Sequence, residues 1–220
     1  MSPPSELTGS AKSARTTMSR RLWDLDWAAE LPWEVNGVRV AAGSADEIVG
    51  FLADNHAELF PGRGADDRFF RETMTEAKRR WAADMDVFAF YLGDDLVGTF
   101  MGHPTDWSSY YIRTTAILPH VRGRRLVPFL IGQMSAVLSR FGVERVEADV
   151  PPTNAPSLGV LASQGFLVTS VVNSERWGTC LRLTKYLRPA AEAAFVRQFC
   201  SFDAGRRAPP HTINQEMRTP

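Results

Sequence analysis

The spacing of apolar residues divides the chain into short strands and amphipathic helices. Branched and aromatic runs of strand length predict strands at 38–40, 87–92, 96–101, 110–118, 143–150, 166–172 and 177–186. Apolar residues three or four positions apart predict helices at 45–59, about 66–81, about 125–141 and 154–162. The predicted order is therefore one strand, two helices, three strands, a helix, a strand, a helix and two strands.

Local signals place several helix boundaries. Ser44 and Glu47 have the spacing of a capping box, in which each side chain accepts a hydrogen bond from the other residue's backbone N–H. Pro128 fits the first turn of a helix, where its missing N–H is not needed, so the third helix starts near residue 124 or 125. Gly142 follows this helix at a position where a left-handed residue ends it.

The composition is that of one globular domain with flexible ends. The chain has 220 residues, of which 44% are hydrophobic and 23% are charged, and this length supports one substantial core. Residues 1–20 and 201–220 are poor in large apolar side chains, so burial cannot offset the entropy lost on ordering them. We expect two disordered tails around a folded domain at 21–200.

Charge and cysteine content disfavour several classes of protein. The 25 basic and 25 acidic residues cancel, so no net field attracts nucleic acid or an anionic membrane. The two cysteines, Cys180 and Cys200, do not have the spacing of a metal site. No apolar run has the length of a membrane span, and the N-terminus lacks the apolar core of a signal peptide. We expect a cytoplasmic protein with reduced thiols and with no metal, membrane or nucleic-acid partner; a homodimer is compatible with these features.

A strand that leads through an arginine-rich turn into a helix carries the most informative chemistry. Segment 117–126 reads Ile-Leu-Pro-His-Val-Arg-Gly-Arg-Arg-Leu. Such a turn directs several backbone N–H groups and the positive end of a helix dipole at one point, which suits a pyrophosphate. A solvated basic turn is the alternative interpretation.

These residues make the chain similar to the GCN5-related N-acetyltransferase (GNAT) superfamily. Two motifs of the superfamily occur in order between residues 111 and 166. They comprise Ile117, Pro119, Arg122, Gly123 and Arg124, then Val150, Asn154, Leu158, Gly165 and Phe166. The resemblance implies an α/β fold with a mixed central sheet of about six to seven strands, flanking helices and a splayed strand pair at the acyl-donor site. It also implies transfer of an acetyl or longer acyl group from acyl-CoA to a primary amine of a small molecule or peptide.

The resemblance also assigns the donor site. The strands that end at Leu118 and Val150 are expected to separate, so that free backbone groups hold the pantetheine amides like an added strand. The turn amides and the nearby arginines are expected to bind the pyrophosphate. The full donor-binding set is Ile117, Leu118, Pro119, Arg122, Gly123, Arg124, Arg125, Leu126, Val127, Asn154 and Ser157.

Several residues differ from the superfamily pattern. Arg125 stands where the pattern has glycine, Val127 where it has glycine or alanine, and Pro128 removes a further N–H. The tyrosine that usually protonates the departing thiolate is replaced by Leu161. Two alternatives therefore stay open: an amide synthase with a long-chain acyl or acyl-carrier-protein donor, whose acidic surface the arginines would meet, and a non-catalytic acyl-CoA sensor.

Three side chains are candidates for catalysis. Asp149 occupies the position where N-terminal protein acetyltransferases of the superfamily carry a carboxylate, and we expect it to be the general base. Glu147 lies two residues earlier on the same side of the strand and is a second base or a ligand of the amine. An ordinary salt-bridged edge is the alternative for both. Tyr111 is a candidate for the missing acid. The alternatives to it are a water, Tyr110, Tyr186 and Cys180.

Aromatic residues cluster before the first strand and in the second helix. Trp23 and Trp27 are four residues apart, a spacing that places both on one helix face. We expect them to cover the sheet, and the alternative is the wall of an acyl or aromatic substrate pocket. The same question applies to Phe69, Phe70 and Trp81.

Overall fold

The computed structural model describes residues 22–60, 75–174 and 178–200, which form one mixed sheet flanked by helices. The strands are β1 (Trp33–Val35), β2 (Val38–Ala42), β3 (Asp86–Leu92), β4 (Asp95–Pro104), β5 (Ser109–Ile117), β6 (Arg145–Val150), β7 (Leu167–Ser174) and β8 (Gly178–Tyr186). They lie in the order β1-β2-β3-β4-β5-β6-β8-β7. Within the described ranges, β5 and β6 are the one parallel pair of neighbours.

The helices occur in the predicted order along the chain, and one further helix after β8 was not predicted. They are α1 (Trp27–Glu30), α2 (Ala45–Asp54), α3 (His56–Leu59), α4 (Glu76–Ala83), α5 (Leu126–Arg140), α6 (Ala155–Ser163) and α7 (Pro189–Phe195), with a 3-10 turn at Pro119–Val121 and a π-helical turn at Val196–Cys200. The predicted capping box is present, because Ser44 and Glu47 each accept a hydrogen bond from the other's backbone N–H. The mixed, helix-flanked fold is thus confirmed.

The sheet has eight strands, whereas the sequence predicted about six to seven. The additional strand is β1, three residues that pair with β2 through a tight turn at Asn36 and Gly37. The two turn residues have φ of 49° and 78°, which an Asn-Gly pair adopts readily. The dipeptide was a usable signal, but the strand before it is too short to show a period of two.

The expected shared helix face of Trp23 and Trp27 was wrong. Asp24 between them has a φ of 55°, and α1 begins only at Trp27. Both rings still lie 6.4 Å from the ring of Tyr110, measured between centroids. The two tryptophans therefore pack over the sheet, as the simpler interpretation expected.

Two further predictions concern the helices before β3. The helix predicted over 45–59 is divided into α2 and α3 at Asn55, whose side-chain amide donates to the Phe51 carbonyl at 2.9 Å. The predicted start of the next helix near residue 66, together with Phe69 and Phe70, lies outside the described residues. Both predicted tails lie outside them as well.

The main core lies between α5 and one face of the sheet. The buried residues of α5 are Leu126, Leu130, Ile131, Met134, Val137 and Leu138. They belong to the same cluster as Phe88 and Phe100, whose rings stack at 5.0 Å, and as the fully buried Tyr110. A smaller cluster joins Ile48 of α2 to Met101 and its neighbours on the other face. The sheet is thus packed on both faces, with α5 on one and α2 on the other.

Gly102 makes room for the ring of Tyr110. A Cβ at this glycine would lie 2.5 Å from the Tyr110 hydroxyl oxygen and 2.6 Å from a ring carbon. Gly102→Ala should therefore lower the free energy of unfolding by roughly 1–3 kcal/mol, the usual cost of overpacking. Urea denaturation measures this change.

Gly132 in α5 provides the matched control, because a Cβ there would meet nothing within 4 Å. Gly132→Ala should raise the free energy of unfolding by up to about 1 kcal/mol, since alanine favours a helix interior. Equal effects of the two substitutions would contradict the close contact at Gly102.

Candidate active site

The parallel strands β5 and β6 separate before either strand ends. Their last pair is Ile112 with Ala148, although β5 continues to Ile117 and β6 to Val150. On its other edge β5 stays paired with β4, with a β-bulge that leaves Arg113 without an opposite residue. A bulge increases the local strand twist, and the unpaired strand ends form a fork. The splayed pair implied by the resemblance is therefore present.

Backbone groups point into the fork from both strands. The Leu118 N–H donates to the Val97 carbonyl at 3.0 Å, so the alternation along β5 turns the N–H and C=O of Thr115 and Ile117 toward the fork. The same alternation on β6, which is paired with β8, turns the backbone of Asp149 into the fork. The fork thus offers hydrogen-bonding groups of two strand edges.

The turn after β5 leads from the fork to the start of α5. The N–H groups of Val121 and Arg122 donate to carbonyls within this turn. Beyond them Gly123 and Arg125 have left-handed backbone conformations, with φ of 79° and 58°. Leu126 then begins α5, a helix of 15 residues, and the first N–H groups of a helix have no partner inside it. An anion at this point would meet free N–H groups and the positive end of the helix dipole.

Arg125 stands where the superfamily pattern has glycine, yet its backbone has the left-handed conformation that glycine favours. In a residue with a Cβ, this conformation destabilises the folded state by about 1 kcal/mol or more. Its side chain is exposed. The substitution therefore leaves the turn in a shape that suits an anion, and it adds a positive charge beside the helix start.

The other two arginines of the turn bond to backbone carbonyls. Arg122 Nε donates to the Ile117 carbonyl at 3.0 Å. Arg124 Nη1 donates to the Asn36 carbonyl at 3.2 Å, and Asn36 Nδ2 donates to the Arg124 carbonyl at 2.7 Å. This reciprocal pair fixes the turn against the β1–β2 hairpin, which the sequence analysis did not predict.

A groove runs beside the turn. It is lined by Val35, Asn36, Arg125, Pro128, Phe129 and Gln164. The lining combines apolar side chains with two amides and one cation, a mixture typical of small-molecule sites.

Two predicted donor-binding residues lie after β6, at the start of α6. Asn154 Oδ1 accepts a hydrogen bond from the Ser157 N–H at 3.3 Å and so caps the helix. The Asn154 N–H donates to the Pro151 carbonyl at 2.9 Å. Together, Asn154 and Ser157 form the helix start beside the β6 arm of the fork.

The Asp149 carboxylate is held by two neighbours. Its Oδ1 accepts from Arg182 Nε at 2.8 Å, and its Oδ2 accepts from Arg182 Nη2 at 2.8 Å and from the Tyr111 hydroxyl at 3.2 Å. The hydrogen bond to Asp149 raises the pKa of the Arg182 guanidinium further, so this partner stays charged. A carboxylate has about four acceptor positions. Most of those of Asp149 are therefore occupied.

Glu147 lies on the same face of β6 as Asp149. Its Oε1 is 3.5 Å from Arg145 Nε, and its side chain is 15% exposed. Across the strands Glu147 pairs directly with Tyr111. The three predicted catalytic side chains are thus brought together on one face beside the fork.

Tyr111 is the phenol nearest to the fork on this face. Burial raises the pKa of Tyr111 to about 12, and the Asp149 charge and hydrogen bond act in the same direction. The phenol therefore keeps its proton at neutral pH. Leu161, which occupies the sequence position of the usual acid, is buried in the core.

Sequence reasoning missed two residues of this face. The His103 ring lies 5.6 Å from the Tyr111 ring and 5.3 Å from the Trp81 ring, measured between centroids. The Arg113 guanidinium is 5.2 Å from the centre of the Trp81 ring. No local pattern marks His103 or Arg113, because their neighbours come from other elements of the chain.

Comparison with known proteins decides the family. The model of the acetyltransferase (GNAT) family matches residues 50–166, which is more than half of the chain. The chain belongs to the GNAT family. It is a GNAT-type N-acyltransferase. No curated protein matches the sequence.

Solved structures of GNAT proteins resemble this chain in fold at low sequence identity. The ribosomal-protein-S5-alanine acetyltransferase from Vibrio fischeri superposes with a TM-score of 0.55 and 14% identity, over 72% of this chain and 98% of that one. The yncA protein from Salmonella typhimurium, solved with its cofactor acetyl-CoA, gives 0.51 and 17%, over 69% and 94%. A variant of the spermidine N-acetyltransferase SpeG from Vibrio cholerae gives 0.50 and 10%, over 69% and 94%.

A helix crosses a bilayer only when it is long and predominantly apolar. Within the described ranges, no helix is both long and apolar enough to cross a bilayer.

The left-handed backbone of Arg125 should affect the free energy of unfolding. Arg125→Gly should raise the free energy of unfolding by about 1 kcal/mol relative to Arg125→Ala, because both remove the charge and only glycine relieves the strain. Thermal or urea denaturation of the two variants checks this. An alanine variant as stable as the glycine variant would show that the turn is not strained at this position.

The raised pKa of Tyr111 should make the free energy of unfolding depend on pH. The phenol loses its proton near its ordinary pKa of 10 when the chain is unfolded and near 12 when it is folded. Raising the pH between these values therefore favours the unfolded chain, and the contribution of Tyr111 is complete below pH 10 and lost toward pH 12. The difference in unfolding free energy between the native chain and Tyr111→Phe should shrink over this interval and stay constant from pH 7 to 9. A constant difference up to pH 11 would contradict the assigned environment.

Proposed function

We propose that this GNAT protein transfers an acetyl or longer acyl group from acyl-CoA to a primary amine of a small molecule or a peptide. The observation that carries the proposal is the continuity of the site. The fork between β5 and β6 leads directly into a turn with free N–H groups at the start of α5. Acyl-CoA is an extended molecule with a thioester at one end and a pyrophosphate further along, so the fork would hold the first and the turn the second.

The donor fits the groups that the chain presents. The N–H and C=O of Thr115 and the N–H of Ile117 would hold the pantetheine amides as an added strand. The N–H groups from Gly123 to Val127 and the charge of Arg125 would hold the pyrophosphate. The groove beside the turn would receive the nucleotide. When bound, the donor supplies an activated acyl carbon.

The side chains beside the fork take distinct roles in this proposal. Tyr111 donates a proton to the departing thiolate, since its phenol is protonated at neutral pH and lies at the base of the fork. Asp149 is expected to position Tyr111 and Arg182, because its carboxylate accepts hydrogen bonds from both. Glu147 would bind the positive charge of the incoming amine, since its carboxylate lies on the same face of β6 as Asp149.

The acceptor class rests on the family chemistry. Two structures of the same fold are named for the acetylation of spermidine and of a ribosomal-protein alanine, and both acceptors are amines. A carrier-protein donor has weaker support, because its phosphopantetheine arm has a single phosphate and no nucleotide to fill the groove beside the turn.

Arg125 gives a sharp test of the donor. Asn and Asp have the same shape, tolerate a left-handed backbone and cap helices well, so Arg125→Asn and Arg125→Asp differ mainly in charge. The Kd for acetyl-CoA, measured by titration calorimetry at low salt, should be at least tenfold higher for the Asp variant than for the Asn variant. Their melting temperatures should be equal, or higher for Asp, because an anion suits the helix start.

Acetyl-pantetheine, which lacks the pyrophosphate, serves as the control ligand and should not distinguish the two variants. Turnover is then followed with acetyl-CoA, long-chain acyl-CoA and an acyl-carrier protein, against spermidine, tryptamine and an alanine-terminated peptide. Turnover with the carrier alone would favour the amide synthase, and binding without turnover of any amine would favour the sensor.

A further inference from the structure

We propose that His103 is the general base that removes a proton from the acceptor amine. This inference rests on the proposed acyl transfer and adds a catalytic residue to it. His103 lies on β4, directly opposite Tyr111 on β5, and its ring is half-buried between Tyr111 and Trp81.

The hydrogen bonding of the ring fixes where its proton lies. His103 Nδ1 is 2.9 Å from the Pro104 carbonyl oxygen. A carbonyl oxygen only accepts, so Nδ1 carries the hydrogen in this contact. In the neutral ring Nε2 is then the nitrogen with a free lone pair. It is also the ring nitrogen farther from the backbone.

The surroundings of the ring favour this neutral form. Burial lowers the pKa of His103, and the positive charge of Arg113 lowers it further, while the bond to the Pro104 carbonyl acts in the opposite direction. On β5 the ring of Tyr111 lies beside His103 and the charge of Arg113 acts on it, and from α4 the uncharged Trp81 ring lies against it. The Asp149 and Arg182 ion pair lies beyond Tyr111.

His103 has an advantage over Asp149 as a proton acceptor. The Asp149 carboxylate already accepts three hydrogen bonds from Arg182 and Tyr111. Nε2 of His103 makes no hydrogen bond within the described part of the chain. A general base has to reach the amine directly or through one water, and in this proposal an amine bound beside Tyr111 lies within that reach of His103.

The proton balance of the transfer is complete with His103 and Tyr111. His103 Nε2 takes one proton from the ammonium, and the neutral nitrogen then forms the C–N bond to the acyl carbon while the C–S bond breaks. Tyr111 gives its proton to the departing thiolate and regains one from the attached nitrogen. His103 releases its proton to water, so the products are an amide, a free thiol and one proton.

A conservative substitution separates catalysis from structure. His103→Asn keeps a side-chain N–H near the position of Nδ1, so it can still donate to the Pro104 carbonyl, but it has no counterpart of Nε2. With acetyl-CoA and the fastest amine of the panel, kcat at pH 7 should fall by about 100-fold or more, with the KM for acetyl-CoA unchanged. The rate of this variant should then rise with pH as the free amine forms. His56→Gln, in α3, is the matched control and should retain the native rate.

A second measurement does not depend on turnover. Nitrogen NMR of the imidazole at pH 7 should show His103 neutral, with the hydrogen on Nδ1, and its protonation midpoint should lie below 6.5. A folded His103→Asn variant with a rate within threefold of the native chain would overturn the inference. An Nε2–H tautomer or a charged ring at pH 7 would overturn it as well, even if transfer occurs. Absence of acyl transfer by the native chain would instead overturn the proposed function.

Discussion

The structure depends on the loss of pairing between β5 and β6 after Ile112. Up to that pair β5 is an ordinary strand within the sheet, and beyond it β5 is paired with another strand on one edge only. Buried or half-buried backbone groups need hydrogen-bond partners, so the free edge of β5 requires a ligand or water to bond with it. The bulge at Arg113 coincides with the separation and gives β5 a different twist on either side of it. An extended ligand in the fork would satisfy the backbone groups that the sheet leaves open.

The two faces of the sheet beside the fork differ in chemistry. On the α5 side the core is apolar and aromatic, centred on Phe88 and Phe100. On the opposite face β6 presents Glu147 and Asp149, which meet Arg182 and Tyr111. The alternation of side chains along β6 produces this difference, because every second residue is buried. In the proposed function, a donor bound through backbone groups and an acceptor bound through side chains would approach one point from different directions.

The sequence predicted well the features that depend on residues close together in the chain. These features are the apolar period of α5, the capping box at Ser44 and the turn that joins β5 to α5. The β1 strand was missed because three residues do not display a period. The interruption at Asn55 was missed because one residue breaks a helix without disturbing its apolar spacing. The contact between Asn36 and Arg124 joins residues 88 positions apart, and no local pattern records it.

The sequence by itself determined the family, the order of elements and the position of the arginine-rich turn, because apolar period and motif spacing are properties of neighbouring residues. Only the tertiary structure decided the state of individual site residues. It gave Arg125 a left-handed backbone, bound Asp149 to Arg182, and placed His103 between Trp81 and Tyr111. These properties arise from strand register and from the strain that a fold can impose on one residue. Both depend on contacts between distant segments, so they exist only once the chain has folded.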